Sequence, residues 1–238
     1  SFNPQVIVHL AAETRILRNA SIENYNANTI GIDNIIEAAL SCRDLKKIIF
    51  ASTKLVSTDD VEKDIFDYSP HTLYGESKVI GEIKVRESQI YDKSIIVRPT
   101  SHWGPYSIAN HIPYARFFKF VSRGYYFHPE QMNKSKYFGF VLNTCHQIEA
   151  IINAPLDEIR HKVIYLADYE TTTLLEWANT IRAVEDKSPV RIISKNVIYA
   201  LAKMGDLLKS IGVREPPFSS FRLENMAKET TGIPLVDI

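Results

Sequence analysis

Ile48-Ile49-Phe50-Ala51 is the stretch on which the fold turns. Four apolar residues in succession, with no polar alternation, suit a strand covered on both faces, as in a parallel sheet. Val6 to Leu10 upstream and Ile95 to Val97 downstream repeat that texture. Helical patterns fill the gaps. Asn28 to Leu40 sets Ile32, Ile35, Ile36 and Ala39 at helical spacing. Tyr74 to Ile90 sets Val79, Ile80 and Ile83 on an apolar stripe, with Tyr74 and Lys78 off it. Strand and helix in alternation predict an α/β fold with right-handed crossovers, a doubly wound parallel sheet. Val163 to Leu166 is a candidate for one further strand.

After Pro99 the texture changes. Trp103, Tyr106, Tyr114, Phe117, Phe118, Tyr125, Tyr126 and Phe127 crowd the chain, and the alternation dissolves. Val197, Leu201, Met204, Leu208 and Ile211 then repeat at helical spacing, which predicts a helix packed on a small second subdomain. Gly212 is a natural stop for that helix, and Arg214-Glu215-Pro216-Pro217 reads as an exposed connector. The expected division is residues 1–100 against 101–238, with late strands of the first part interleaved in the second.

Bulk properties narrow the function. The 238 residues are 45% hydrophobic and carry 28 basic against 28 acidic side chains. Zero net charge argues against a nucleic-acid or membrane-surface partner selected by bulk electrostatics. No apolar run reaches the ~18 residues of a membrane span, and no secretory leader opens the sequence. Cys42 and Cys145 stand alone, and no histidines have metal-ligand spacing. Asn19-Ala20-Ser21 and Asn133-Lys134-Ser135 match the glycosylation pattern, read here as chance matches. The expectation is a cytoplasmic protein without a metal.

Tyr74-Gly75-Glu76-Ser77-Lys78 carries the chemistry. At i and i+4 a phenol and an ammonium share one helix face. A nearby ammonium favours the phenolate, so Lys78 is expected to lower the Tyr74 pKa from about 10, as a general acid/base on a sugar or alcohol hydroxyl requires. On its own the spacing is commonplace, and a surface pair is the bland reading.

Several ordered pieces together make the chain resemble the extended short-chain dehydrogenases/reductases, in the NAD-dependent nucleotide-sugar epimerase/dehydratase branch. Val8-His9-Leu10-Ala11-Ala12 resembles that family's fourth strand and the turn against its cofactor. Asn28-x2-Gly31 and Asn34-Ile35-Ile36-Glu37-Ala38-Ala39 resemble its next helix. Phe50-Ala51-Ser52-Thr53 closes a strand where the family carries a catalytic Ser or Thr. Tyr74-x3-Lys78 follows, with Pro70 upstream, and Val97-Arg98-Pro99 through Trp103-Gly104-Pro105 resembles the entry to the substrate region.

The resemblance implies Thr53, Tyr74 and Lys78 as catalytic residues. Thr53 would bond the substrate oxygen, Tyr74 would exchange its proton, and Lys78 would tune the phenol and hold the nicotinamide ribose. Ala11 and Ala12 would let the backbone approach NAD or NADP, Asn28 would hold the cofactor or the loop beside it, and Pro99 would line the cofactor. Ser101, His102 and Lys136 would meet the nucleotide-sugar substrate. A homodimer is implied by the same analogy. On the residues alone, Thr53 is a β-branched strand end and Asn28 a helix cap. His9 reads as a satisfied core histidine. His102 and His111 flank the substrate loop, where a lone histidine is usually structural. For Lys134 and Lys136 the resemblance implies contact with the substrate diphosphate, and the residues alone read equally as solvated lysines.

Departures from the family pattern sharpen the expectation. None of the 9 glycines forms a G-x-G-x-x-G or G-x-x-G-x-x-G turn. The resemblance implies an expectation that the Gly-rich phosphate unit and roughly 60 residues of strand–helix units belong before Ser1-Phe2-Asn3-Pro4, and a chain without them would not hold a dinucleotide in the usual way. Ser101 stands where an asparagine is frequent, and Leu142-Asn143 where an acidic pair is typical. Lys54 follows Thr53 where sugar 4,6-dehydratases carry Asp-Glu, which argues against dehydration; Asp59 and Asp60 lie too far along and read as an exposed loop. The leading expectation is an NAD(P)-dependent oxidoreductase or epimerase on a nucleotide-activated sugar. The alternatives are an NADPH-dependent ketone or sugar reductase of the same fold and a non-catalytic dinucleotide-binding regulator.

Overall fold

A computed structural model describes residues 2–16, 20–57, 64–106, 113–130, 132–210, 219, 220, 223 and 233–236. Asn19, Thr58 to Val61, His111, Gln131, Ile211, Gly212 and Arg214 to Pro217 lie outside the described residues, as does the Tyr114 side chain.

In chain order come β1 (Val6–His9), α1 (Asn26–Leu40), β2 (Lys47–Ala51), α2 (Leu73–Glu87), β3 (Ser94–Pro99), β4 (Ser101–Trp103), α3 (Pro113–Ser122) and β5 (His128–Pro129). There follow β6 (Ser135–Lys136), β7 (Phe138–Phe140), α4 (Val141–Asn153), β8 (Val163–Leu166), β9 (Thr172–Thr173), α5 (Leu174–Val184), β10 (Ile192–Ile193) and α6 (Lys195–Ser210). The chain divides into two units. The first comprises Ser1–His102, Gly139–Tyr169 and Gly232–Ile238, and the second Trp103–Phe138 and Glu170–Thr231.

The first unit holds a parallel sheet in the order β1-β2-β3-β8. All four apolar runs of the sequence became its strands, except that β1 stops at His9 and leaves Leu10 59% exposed. Both faces are covered, so the strands need no polar alternation. On one face Ile7, Ile48, Phe50, Ile96 and Val163 meet Ile32 and Ala39 of α1 and Val85 of α2. On the other, Val8, Ile49, Ile95, Val97, Ile164 and Leu166 meet Ile148, Ile151 and Ile152 of α4. Side chains alternate along a strand, so the residues next on the α1/α2 face are His9, Ser52, Arg98 and Tyr165. That face is apolar in its middle and polar at the carboxyl ends of its strands.

Lys47 is a buried lysine with a structural task. Its ammonium donates to the carbonyls of Ile151, Ile152 and Ala154, the open C-terminal end of α4. A cation there satisfies orphan carbonyls and complements the helix dipole.

Two expected stripes face a core only in part. On α2 the residues turned inward are Tyr74, Gly75, Ser77, Lys78, Val79, Gly81, Glu82 and Val85, whereas Ile83 is 36% exposed. The inward face is polar because it lies over the polar strand ends, a setting that apolar periodicity cannot reveal. On α6 the buried side chains are Ile198 and Ala202, packed with Met132 and Leu223. Val197, Met204 and Leu208 of the expected stripe are 50%, 54% and 37% exposed. The small residues Ala202 and Gly205 are buried, where the expected stripe placed Leu201 and Met204.

The second unit is built on the aromatic residues. Trp177 of α5 has Phe138, Trp103, Phe118 and Phe117 at ring-centroid distances of 4.9, 5.1, 5.3 and 5.4 Å. Aromatics gather tilted or edge-on in this way because of the ring quadrupole. Tyr106 and Tyr125 remain outside that core, 92% and 62% exposed. No described helix is long and apolar enough to cross a membrane, and no three described His, Cys, Asp or Glu residues are grouped to hold a metal ion.

Candidate active site

The site begins at the amino end of α2. Thr72 caps the helix, its hydroxyl accepting from the Gly75 amide at 3.0 Å. Gly75 then lets the helix close on the turn after β2: a Cβ at that position would overlap the Leu55 carbonyl oxygen. This approach brings α2 down on Ala51, the last residue of β2, and on the two residues after it.

Each of those three is tied to α2. The Ala51 carbonyl accepts from Lys78 Nζ at 2.8 Å. The Ser52 hydroxyl donates to Glu82 Oε1. The Thr53 hydroxyl, which also caps a single 3-10 turn at 54–56, is the neighbour that draws the Tyr74 phenol's pKa down. Tyr74, Lys78 and Glu82 are spaced one turn apart and share a face. Thr53, Tyr74 and Lys78, the expected catalytic trio, are thus brought together and are 8%, 9% and 6% exposed.

Electrostatics depart from expectation. Tyr74 is raised above the ordinary tyrosine value, first by burial and also by Tyr25, while the Thr53 hydrogen bond draws it down. Lys78 does not lower it. Burial brings Lys78 itself down to about 8, against the pull of Glu82, and its ammonium is held on the Ala51 carbonyl. Desolvation disfavours both charged forms and is the largest cause of each shift.

The turn after β1 is clamped from α1. Asn28 is 1% exposed and uses both ends of its amide. It accepts from the Glu13 amide and donates to the Glu13 carbonyl, each at 2.9 Å, and donates to Ser77 Oγ at 2.9 Å. Ser77 in turn donates to the Tyr74 carbonyl at 2.7 Å. Asn28 therefore holds the loop and is no helix cap; it lies inside α1. Tyr25, fully buried, adds a second clamp by donating to the Arg15 carbonyl at 2.9 Å, and its ring lies 6.2 Å from that of Tyr74. Ala11 is exposed and Ala12 half-buried at the start of this loop.

His9 is not the satisfied core residue expected. Its ring meets Phe50 edge-on at 5.9 Å, and its buried Nε2 has no hydrogen-bond partner among the described residues. Burial and then the Lys78 charge lower its pKa. Pro99 ends β3, and Ser101 is exposed on β4. His102 packs so closely on Gly139 that a Cβ there would overlap its ring; its Nε2 is likewise without a partner, and burial lowers its pKa. Lys136 lies in the second unit, half-buried on β6 and paired with Thr172 of β9.

Sequence reasoning missed the floor of the site. Glu82 takes Arg98 Nε at 3.0 Å on Oε1 and Arg98 Nη2 at 2.8 Å on Oε2. Tyr68 donates to Oε2 at 3.0 Å, and Arg98 Nη1 reaches the Tyr165 hydroxyl at 2.9 Å. Burial pushes the Tyr68 phenol up to about 12, with Glu82 adding to the shift. A signal existed. A charged residue after Ile95-Ile96-Val97 needs a buried partner, and Glu82 lies one turn beyond Lys78.

Residues 1–132 match the model of a family described as the NAD dependent epimerase/dehydratase family. No curated protein matches the chain. Among solved structures, dTDP-4-dehydrorhamnose reductase from Bacillus anthracis in complex with NADP is similar at a TM-score of 0.62 and 22% identity, covering 80% of this chain and 66% of that one. UDP-glucuronic acid 4-epimerase from Bacillus cereus in complex with NAD is similar at 0.63 and 16%, covering 96% and 73%. L-threonine 3-dehydrogenase from Trypanosoma brucei is similar at 0.64 and 16%, covering 80% and 62%. The likeness is one of fold, Rossmann-like and doubly wound, and the chain spans 62% to 73% of the length of these three proteins.

Proposed function

The chain belongs to the NAD dependent epimerase/dehydratase family, and from that premise we propose that it is an oxidoreductase or epimerase of a nucleotide-activated sugar, with Tyr74 as general acid/base. One observation carries the reading. Thr53 and Tyr74 are buried together, with Thr53 drawing the Tyr74 pKa down and Lys78 one turn on, beside the carboxyl ends of parallel strands. Ligands of open α/β sheets bind outside those ends.

Tyr74 gives its proton to the substrate carbonyl oxygen, or takes one from the hydroxyl. Thr53 bonds the same oxygen and orients it. Lys78 leaves the Ala51 carbonyl to place positive charge beside the phenol. A nicotinamide dinucleotide, NAD or NADP, supplies the hydride chemistry when bound. The residues present suit its nicotinamide end: a lysine with donors to share, an orphaned His9 Nε2 on the same sheet face, and a clamped loop opened by two alanines. The sequence shows no Gly-rich turn for the pyrophosphate.

Dehydration is disfavoured because Lys54, not an acidic pair, follows Thr53. Ketone reduction with NADPH is the second reading, and the raised Tyr74 pKa favours it, since a phenol held protonated is ready to donate. Ser101 and His102 are the candidates for substrate contact. A homodimer fits the exposure of Ile30, Leu40 and Ile83 on the outer sides of α1 and α2.

Turnover of a panel of nucleotide sugars, with the cofactor assayed before and after, tests the proposal. An epimerase returns the dinucleotide unchanged and still bound, whereas a reductase consumes one NADPH per product. A protein that binds dinucleotide yet converts no sugar, and responds identically as Tyr74→Phe, is a regulator and not an enzyme.

A further inference from the structure

Beneath Tyr74 and Lys78 lies a carboxylate that none of those steps uses. Glu82 is 2% exposed and receives donors on both oxygens: Ser52 and Arg98 Nε on Oε1, Tyr68 and Arg98 Nη2 on Oε2. A carboxylate so saturated has no geometry left for proton exchange with a substrate. A buried ion pair is also weak evidence for stability, since apolar groups of like shape often serve as well. Of the three hydroxyls the pair holds, one belongs to the turn after β2. Ser52 stands between Ala51 and Thr53, the residues tied to Lys78 and Tyr74.

We propose that Glu82, held by Arg98, is a positioning residue that grips the Ser52 hydroxyl and so fixes Thr53 and Tyr74 on one substrate oxygen. This rests on Tyr74 acting as acid/base. The Tyr68 and Tyr165 hydroxyls close the network on its remaining sides, and Arg98 is wholly buried among them. Ser52 links the ion pair to the turn after β2, and its loss leaves the Glu82–Arg98 contacts themselves whole. The titratable groups around the phenol are Tyr25 before α1 and Lys78 on α2, with His9 of β1 and Glu82 beyond Lys78.

Removing Glu82 would strand the buried Arg98 charge and risk the fold, so the test acts on Ser52. In the full-length protein, Ser52→Ala should lower kcat about 10- to 100-fold, as a small misplacement of reacting groups does. KM and the melting temperature should hold, and Ser52→Thr should restore the rate. The Tyr74 titration, followed by NMR of labelled tyrosine, should move upward because the Thr53 bond that draws it down is loosened. A Ser52→Ala protein with wild-type kcat, or one in which kcat, KM and melting temperature fall together, overturns the proposal. If the wild type converts no sugar, the proposed activity fails, yet the titration still decides: an unmoved Tyr74 overturns the positioning role and a raised one supports it.

Discussion

Lys78 Nζ donates to the Ala51 carbonyl at 2.8 Å, so the ammonium expected to serve Tyr74 is held on the strand end instead. Its folded pKa of about 8 lies below the ordinary lysine value of 10.5 because burial penalises the charge. Between those values the unfolded chain binds more protons, so the Lys78 contribution to stability rises with pH over that window. Below pH 8 the full cost of the buried charge is present. Lys78→Met should therefore be more stable than wild type at neutral pH, with the gap closing by roughly 3 kcal/mol towards pH 10.5. Urea unfolding at stepped pH measures it, and a gap independent of pH would refute the shift.

Asn28 closes three hydrogen bonds between α1, the loop at Glu13 and Ser77 of α2. Asn28→Ala should cost about 2–3 kcal/mol, since it strands both backbone groups of Glu13. Amide hydrogen exchange at residues 11–16 should speed up, and dinucleotide affinity should fall with it. Unchanged exchange there would show that the loop does not depend on Asn28.

Gly75 lies so close to the turn after β2 that a Cβ there would overlap the Leu55 carbonyl oxygen. Gly75→Ala gains helix propensity, yet its methyl must displace the turn at 54–56. The expected net effect is a loss of about 1–3 kcal/mol and a fall in turnover larger than any fall in cofactor affinity. Thermal melts and steady-state kinetics report the two effects separately. A variant with full stability and rate would show that the close approach is not required.

The sheet was legible from sequence because strands buried on both faces leave continuous apolar runs, and Val6, Ile48, Ile95 and Val163 each lie in one. That Thr53, Tyr74 and Lys78 come together was legible only through the family's motif order, since spacing alone linked Tyr74 to Lys78. Helix faces were less so. Ile83 counted as core by periodicity, while the inward turn of α2 is filled by Ser77, Lys78 and Glu82, whose burial depends on partners at residues 28, 51 and 52. The sign of the Tyr74 shift was also hidden, since spacing reports the nearness of Lys78 but not the desolvation that both groups undergo. Likewise, the orphaned Nε2 atoms of His9 and His102 follow from tertiary packing that no local pattern encodes.

The central claim is that Tyr74 moves the proton. Single-turnover hydride transfer, followed by the absorbance of reduced nicotinamide, should be compared between wild type and Tyr74→Phe, each loaded with dinucleotide and saturated with its nucleotide sugar. The account predicts that the variant binds both ligands and transfers hydride about 10²–10⁴-fold more slowly. Equal transfer rates in the two proteins would contradict it.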